Sequence, residues 1–265
     1  MGFIDHDLVL ATAAMMACFL PLEILDLIID QLHDESTTLK ACCLVSKSWV
    51  PRTRKHLFAR VVFDTVEHPF TSWLKMFPDS SNSPARHTRS LSIHRLPAVT
   101  TTDAGVARCI RTFHNVVHLR FKHLISADYE ALTLFNGFTH TVRSLRLTST
   151  FFEVFDLICS FPLLEDLALV SLRSEGDTNR WIAPPKSPKL TGSLELSTTN
   201  GIRFAVRRLL DFPDGLRFAK ITMSCFDSDF GPATDLVSRC SGTLESLIVY
   251  SPVTGTLPSV SLINR

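Results

Sequence analysis

Thr141-Val142-Arg143-Ser144-Leu145-Arg146-Leu147 and, 22 residues further along, Leu163-Leu164-Glu165-Asp166-Leu167-Ala168-Leu169 carry one apolar pattern twice. In each, the last two apolar positions are separated by a single residue, the period of a strand whose alternate side chains face opposite ways. The same segment returns as Leu91-Ser92-Ile93, Leu119-Arg120-Phe121, Leu194-Glu195-Leu196, Ala219-Lys220-Ile221 and Leu247-Ile248-Val249. The first apolar positions lie 28, 26, 22, 27, 25 and 28 residues apart, a degenerate but regular rhythm. Helix-compatible stretches fill the intervals at 104–113, 129–135, 152–161, 202–210 and 233–240. One short strand and one short helix cannot bury a core alone, so the units must stack and share one. The pattern predicts an α/β solenoid with parallel strands, and Val61-Val62-Phe63 is the candidate first strand. Loops around 78–84 and 174–188, rich in serine, asparagine and proline, are expected to be exposed insertions.

Upstream, Leu20-Pro21-Leu22-Glu23-Ile24-Leu25-Asp26-Leu27-Ile28-Ile29-Asp30-Gln31-Leu32 has helical spacing, with Ile24, Leu25, Ile28, Ile29 and Leu32 as one apolar stripe. Pro21 is suited to open that helix, because the first turn does not need its missing N–H. Ser36 is the expected cap of a second helix carrying Leu39, Cys42, Cys43 and Val45 inward, and Pro51 the expected start of a third. Three short helices in so few residues bury too little surface to stand unaided, so the unit should lean on a neighbour.

The order Leu20-Pro21, Glu23-Ile24, Ile28, Leu32, Leu39, Cys42, Val45-Ser46, Trp49 and Leu57-Phe58 resembles an F-box. The remainder is similar to leucine-rich-repeat F-box proteins, particularly the divergent type abundant in mushroom-forming fungi. The usual asparagine after each strand is replaced here by Leu96, Leu124, Thr150 and Leu172. The resemblance implies a small all-α F-box of three helices followed by an irregular leucine-rich-repeat horseshoe. It implies a substrate-recruiting subunit of an SCF-type cullin-RING ubiquitin ligase, meeting a Skp-type adaptor and cullin through Leu20, Pro21, Glu23, Ile24, Leu25, Ile28, Leu32, Leu39, Cys42, Val45, Ser46 and Trp49. The expected division is an N-terminal extension at 1–17, the helical module at 18–60 and the array at 61–265. A strand so near Arg265, with no polar capping helix after it, raises the expectation of an array truncated at its C-terminus. The rival reading is a repeat interaction scaffold that never meets a ligase.

Composition bears on the remaining function classes. In 265 residues, 45% of them hydrophobic, 27 basic and 26 acidic side chains leave a net charge of +1, so no whole-chain field points to nucleic acid or a membrane surface. Seven cysteines without a C-x-x-C pair argue against a disulfide framework or zinc module, and no N-x-[ST] sequon with a permitted middle residue occurs. The apolar stretch 8–20 has the length of a signal-peptide core, but Asp5 and Asp7 precede it where Lys or Arg is usual. A cytoplasmic or nuclear protein is expected.

Chemical motifs are sparse. Asp229-Phe230-Gly231 stands without the other elements of a kinase, and His114, His118 and His123 are expected to be splayed by a strand at His118. No nucleophile elbow, P-loop or dinucleotide fingerprint occurs, and the reading is a binding protein, not an enzyme, without metal or cofactor. If the apolar residues of each strand point inward, the middle ones form an outward row: Ser92, Arg120, Arg146, Ala168, Glu195, Lys220 and Ile248. With the strand neighbours His94, His118 and Lys122 the first half of that face is basic, so an acidic or phosphorylated target segment is expected across Arg120, Lys122 and Arg146.

Overall fold

A computed structural model describes residues 21–64, 69–95, 104–124, 133–150, 154–172, 187–197, 202–224 and 230–250. Among the described residues three helices come first: α1 (Leu22–Gln31), α2 (Ser36–Val45) and α3 (Val50–Leu57). Pro21 occupies the cap position of α1, and its carbonyl accepts the Ile24 and Leu25 amides at 3.0 and 3.2 Å. The cap of α2 is Glu35, not Ser36 as expected. Its carbonyl accepts the Leu39 amide and its carboxylate accepts the Thr38 hydroxyl, both at 2.9 Å. Pro51 lies in the first turn of α3, where its missing amide costs nothing.

Strand β1 (Arg60–Asp64) follows α3 through Phe58 and Ala59 alone, so the helices enter the sheet without a linker. After it come α4 (Pro69–Met76), a 3-10 turn (Pro84–His87), β2 (Ser90–His94), α5 (Ala104–Arg111) and β3 (His118–Lys122). A 3-10 turn (Thr133–Phe138), β4 (Ser144–Thr148), α6 (Val154–Cys159), β5 (Asp166–Val170) and β6 (Ser193–Ser197) continue the chain. The last described elements are α7 (Ile202–Leu210), β7 (Lys220–Ser224), α8 (Phe230–Cys240) and β8 (Ser246–Tyr250).

The eight strands form one all-parallel sheet in the order β1-β2-β3-β4-β5-β6-β7-β8. Every crossover therefore steps in the same direction, and the common handedness of such connections places them all over one face. The result is an α/β fold compatible with a solenoid. One apolar cluster runs from Val61 to Leu247, combining alternate strand residues such as Leu145 and Leu147 with Phe113, Phe155 and Leu209 from the covering layer. Leu25, Ile29, Leu39 and Cys42 are also buried but lie outside that cluster, as the small core of the three helices. Phe58 joins the two regions, its ring edge-on to Trp73 at 5.9 Å and to Phe77 at 6.0 Å.

Two backbone devices recur along the stack. Before a strand, one carbonyl receives two amides from the next unit: Ala59 from Arg89 and Ser90, Arg89 from Val117 and His118, Val117 from Arg143 and Ser144, Arg143 from Glu165 and Asp166. After a strand, Arg95, His123, Ser149 and Ser171 all take positive φ, between 53° and 59°. Their amides donate to Lys122, Thr148, Val170 and Ser197 carbonyls at 2.6 to 2.8 Å. A left-handed residue turns the chain back toward the core, and Leu124, Thr150 and Leu172, which stand at the usual asparagine position, are buried there. Leu96 lies outside the described residues.

The structure amends several expectations. Helix α4 was not foreseen, and of the helix expected at 129–135 the described part, from 133, belongs to a 3-10 turn at Thr133–Phe138, while 129–132 lie outside the described residues. The loop around 78–84 is not wholly exposed, since Ser83 and Pro84 are buried beside Ala85. Most of the 174–188 loop lies outside the described residues. The seventh unit is shifted by two: Ile221 and Met223 are its buried pair, and Thr222, not Lys220, aligns with Glu195 and Ile248.

Candidate functional site

Two surfaces stand out, one at each region of the chain. On α1 the five-residue apolar stripe divides. Leu25 and Ile29 turn into the small core, Leu32 is half-buried, and Ile24 and Ile28 stay 43% and 44% exposed. Leu22 and Leu27 are exposed as well, and Leu44 on α2 is 88% exposed. A helix apolar on more than one side has more surface than its own core uses. Of the other residues in the expected adaptor-binding set, Pro21 and Glu23 are exposed at the start of α1, Val45 and Ser46 are half-buried at the end of α2, and Leu39 and Cys42 are core. Trp49 precedes α3, half-buried, with its carbonyl accepting the Thr53 hydroxyl at 2.7 Å. Leu20 lies outside the described residues.

A polar clamp holds this surface in shape. The Asp30 carboxylate at the end of α1 meets two side chains of α3: Arg52 Nε at 2.6 Å, with a second guanidinium nitrogen on the other oxygen, and His56 Nε2 at 2.6 Å. The Arg52 guanidinium, with His56 beside it, holds the Asp30 carboxyl well below the usual carboxylate range despite the opposing effect of burial. Fixing α1 to α3 leaves Ile24 and Ile28 facing outward.

The second surface is the face of the sheet opposite the helices. Its middle row, read from the strand register, is Val62, Ser92, Arg120, Arg146, Ala168, Glu195, Thr222 and Ile248. Arg120, Lys122 and His118 are exposed on β3, and His94 is half-buried on β2. Ser92, expected on the outward face, is buried between the larger Val62 and Arg120 of the neighbouring strands. Arg146 is committed elsewhere: its guanidinium forks onto Glu195 at 2.6 and 2.9 Å, reaching over Ala168 on the intervening strand. The short Ala168 side chain leaves room for that bidentate contact, and no expectation from the sequence had paired the two.

At β6 the backbone pattern breaks. The Glu165 carbonyl accepts the Gly192 amide alone, at 3.0 Å, and Asp166 Oδ1 takes the second amide, that of Ser193, together with the Ser193 hydroxyl, both at 2.7 Å. Gly192 makes this possible, because a Cβ there would lie 2.4 Å from that same oxygen.

Burial pushes the Cys109 and Cys159 thiols up to about 12, which keeps them protonated. His118 opens β3 and His123 follows its end, so an extended strand separates them, while Phe230 and Gly231 begin α8 and Asp229 lies outside the described residues. No group of three or more His, Cys, Asp or Glu among the described residues is placed to hold a metal. Among them, too, no helix is long and apolar enough to cross a membrane. Comparison with protein-family models, with curated proteins and with solved structures finds no match to this chain.

Proposed function

We propose that this chain is a substrate-recruiting subunit of an SCF-type cullin-RING ubiquitin ligase, working in the cytoplasm or nucleus. In this reading the three helices are an F-box that docks on a Skp-type adaptor and through it on cullin. The stacked units are an irregular leucine-rich-repeat horseshoe whose open face receives a protein target. The observation that carries the reading is the outward apolar surface of α1 and α2. Ile24, Ile28 and Leu44 are exposed on a module too small to need them, and apolar area of this kind gains most by being covered by a partner. The direct passage from α3 into β1 supports the same reading, since a receptor surface rigidly joined to its dock holds a target at a fixed position.

The test is co-purification of the full chain with a Skp-type adaptor and cullin. Replacing Ile24 and Ile28 together by Asp is expected to abolish it, because each charge would enter a desolvated apolar contact. Circular dichroism and melting should barely change, as both side chains already face water. Retained binding by the folded double variant would sink the assignment.

A further inference from the structure

The strand register gathers charge on one part of the open face. Arg120 and Lys122 project from β3 on the same side, two residues apart, with His118 two residues before them. Along an extended strand that interval is about 6.8 Å, the same interval that separates alternate side chains of an extended peptide. Among the described residues neither Arg120 nor Lys122 has a carboxylate within ion-pair reach. The neighbouring cation in the row, Arg146, is turned away from Arg120 and held by Glu195.

We propose that β3 is the centre of a binding stripe for an extended acidic peptide, and that Glu195 limits its strength by withholding Arg146. Anionic groups at alternate positions of the peptide meet Arg120 and Lys122. A third reaches Arg146 only in competition with the internal carboxylate, which already satisfies both arms of the guanidinium. The Asp166 carboxylate, two strands away in the row of His118, borders the stripe on the β5 side. Near β3 the described residues of the open face include no Phe, Tyr or Trp, whereas sites for single-stranded nucleic acid combine basic groups with large rings on which the bases stack. Charge and spacing therefore favour a peptide. The inference rests on the open face being the receptor surface of the proposed function, and it specifies the chemistry of the target.

The experiment uses the purified full chain at low salt, where such contacts count most. Three fluorescent probes are titrated: a peptide alternating glutamate with serine, the same peptide with phosphoserine in place of glutamate, and an oligothymidylate. Either peptide is expected to bind, and their ranking tells carboxylate from phosphate recognition. Arg120→Ala with Lys122→Ala should weaken binding by about tenfold or more, while Glu195→Gln should strengthen it by about threefold by releasing Arg146. The opposite signs matter, because a merely structural role for Glu195 would not tighten binding. Absence of binding by both peptides, equal binding by the double variant, or no gain from Glu195→Gln in folded protein overturns the proposal. Tighter oligothymidylate binding through the same residues overturns it in favour of nucleic acid. A chain that captures the adaptor yet ignores both peptides removes the acidic-target inference and leaves the docking reading intact.

Discussion

The helical module and the sheet solve the same problem, a chain segment too short to bury itself, in opposite ways. Each unit of the array shares its apolar face with the units before and after, so its strand leucines and isoleucines are almost all buried and its spare surface is mostly polar, with Val62, Met76, Leu163 and Tyr250 as scattered apolar exceptions. The three helices share little. Their core rests on Leu25, Ile29, Leu39 and Cys42, the Asp30 carboxylate, with Asp26 at 3.9 Å, ties α1 to Arg52 of α3, and their spare surface includes five large apolar side chains, Leu22, Ile24, Leu27, Ile28 and Leu44. What each region leaves uncovered is thus the inverse of what the other does. The difference marks the helices as a place for burial and the sheet as a place for charge.

The largest blow to this contrast falls on the array. Phe121 is fully buried on β3 with the Phe135 ring edge-on at 4.7 Å, and Phe121→Ala should cost about 3–5 kcal/mol in urea unfolding. In the module, Ile29→Ala is expected to cost about 2–4 kcal/mol. Hydrogen exchange should show that loss confined to α1–α3, with the strand amides still protected; protection lost equally in both regions would mean that they unfold as one body.

Gly192→Ala tests the one step where a side chain replaces the backbone pattern. Its Cβ would displace the Asp166 carboxylate, and a loss of about 1–3 kcal/mol is expected from strain and from the two hydrogen bonds given up by Ser193. Adding Asp166→Ala should recover the strain but not the hydrogen bonds. Full recovery would show that Asp166 contributes nothing there.

The smallest effect expected is that of Asp30→Asn, about 1 kcal/mol because the clamp is partly solvated. Its pH dependence has a definite sign. A carboxyl held below its ordinary value stabilises the fold fully above an unfolded-state pKa of about 3.9, and that contribution fades as pH falls through the folded value. Melting temperatures of the parent and Asp30→Asn proteins should therefore differ near neutrality and converge below about pH 4. A gap that widens below about pH 4 would contradict the clamp.

The parallel strands were legible because two apolar residues flanking one polar residue, returning at near-constant distance, allow few other arrangements. The frame of β7 was not. Ala219, Ile221 and Met223 alternate without interruption, and a period of two cannot say which pair is the core pair. Register, set by stacking on β6, decides for Ile221 and Met223. Of the two surfaces, α1 announced itself by being apolar on several sides, a signal that also covers Leu22 and Leu27, which the single-stripe reading passed over. The Arg146–Glu195 fork was hidden because its partners are 49 residues apart and meet only once β5 places Ala168 between them. Arg120 and Arg146 look equivalent in the sequence, and only one of them remains available.

The irregular step at β5–β6 also has a mechanical meaning. Four residue pairs join these strands where five join β4 to β5, and one of the two amides of the shared-carbonyl link goes to a side chain instead. Under tension the stack should part there first, into a leading block of β1–β5 and a trailing block of β6–β8. The Arg146–Glu195 fork spans that joint from β4 to β6 like a tie across a seam. A ligand that drew Arg146 away would thus loosen the seam it crosses, so that pulling the chain from its ends should meet a lower first rupture force when the open face is occupied.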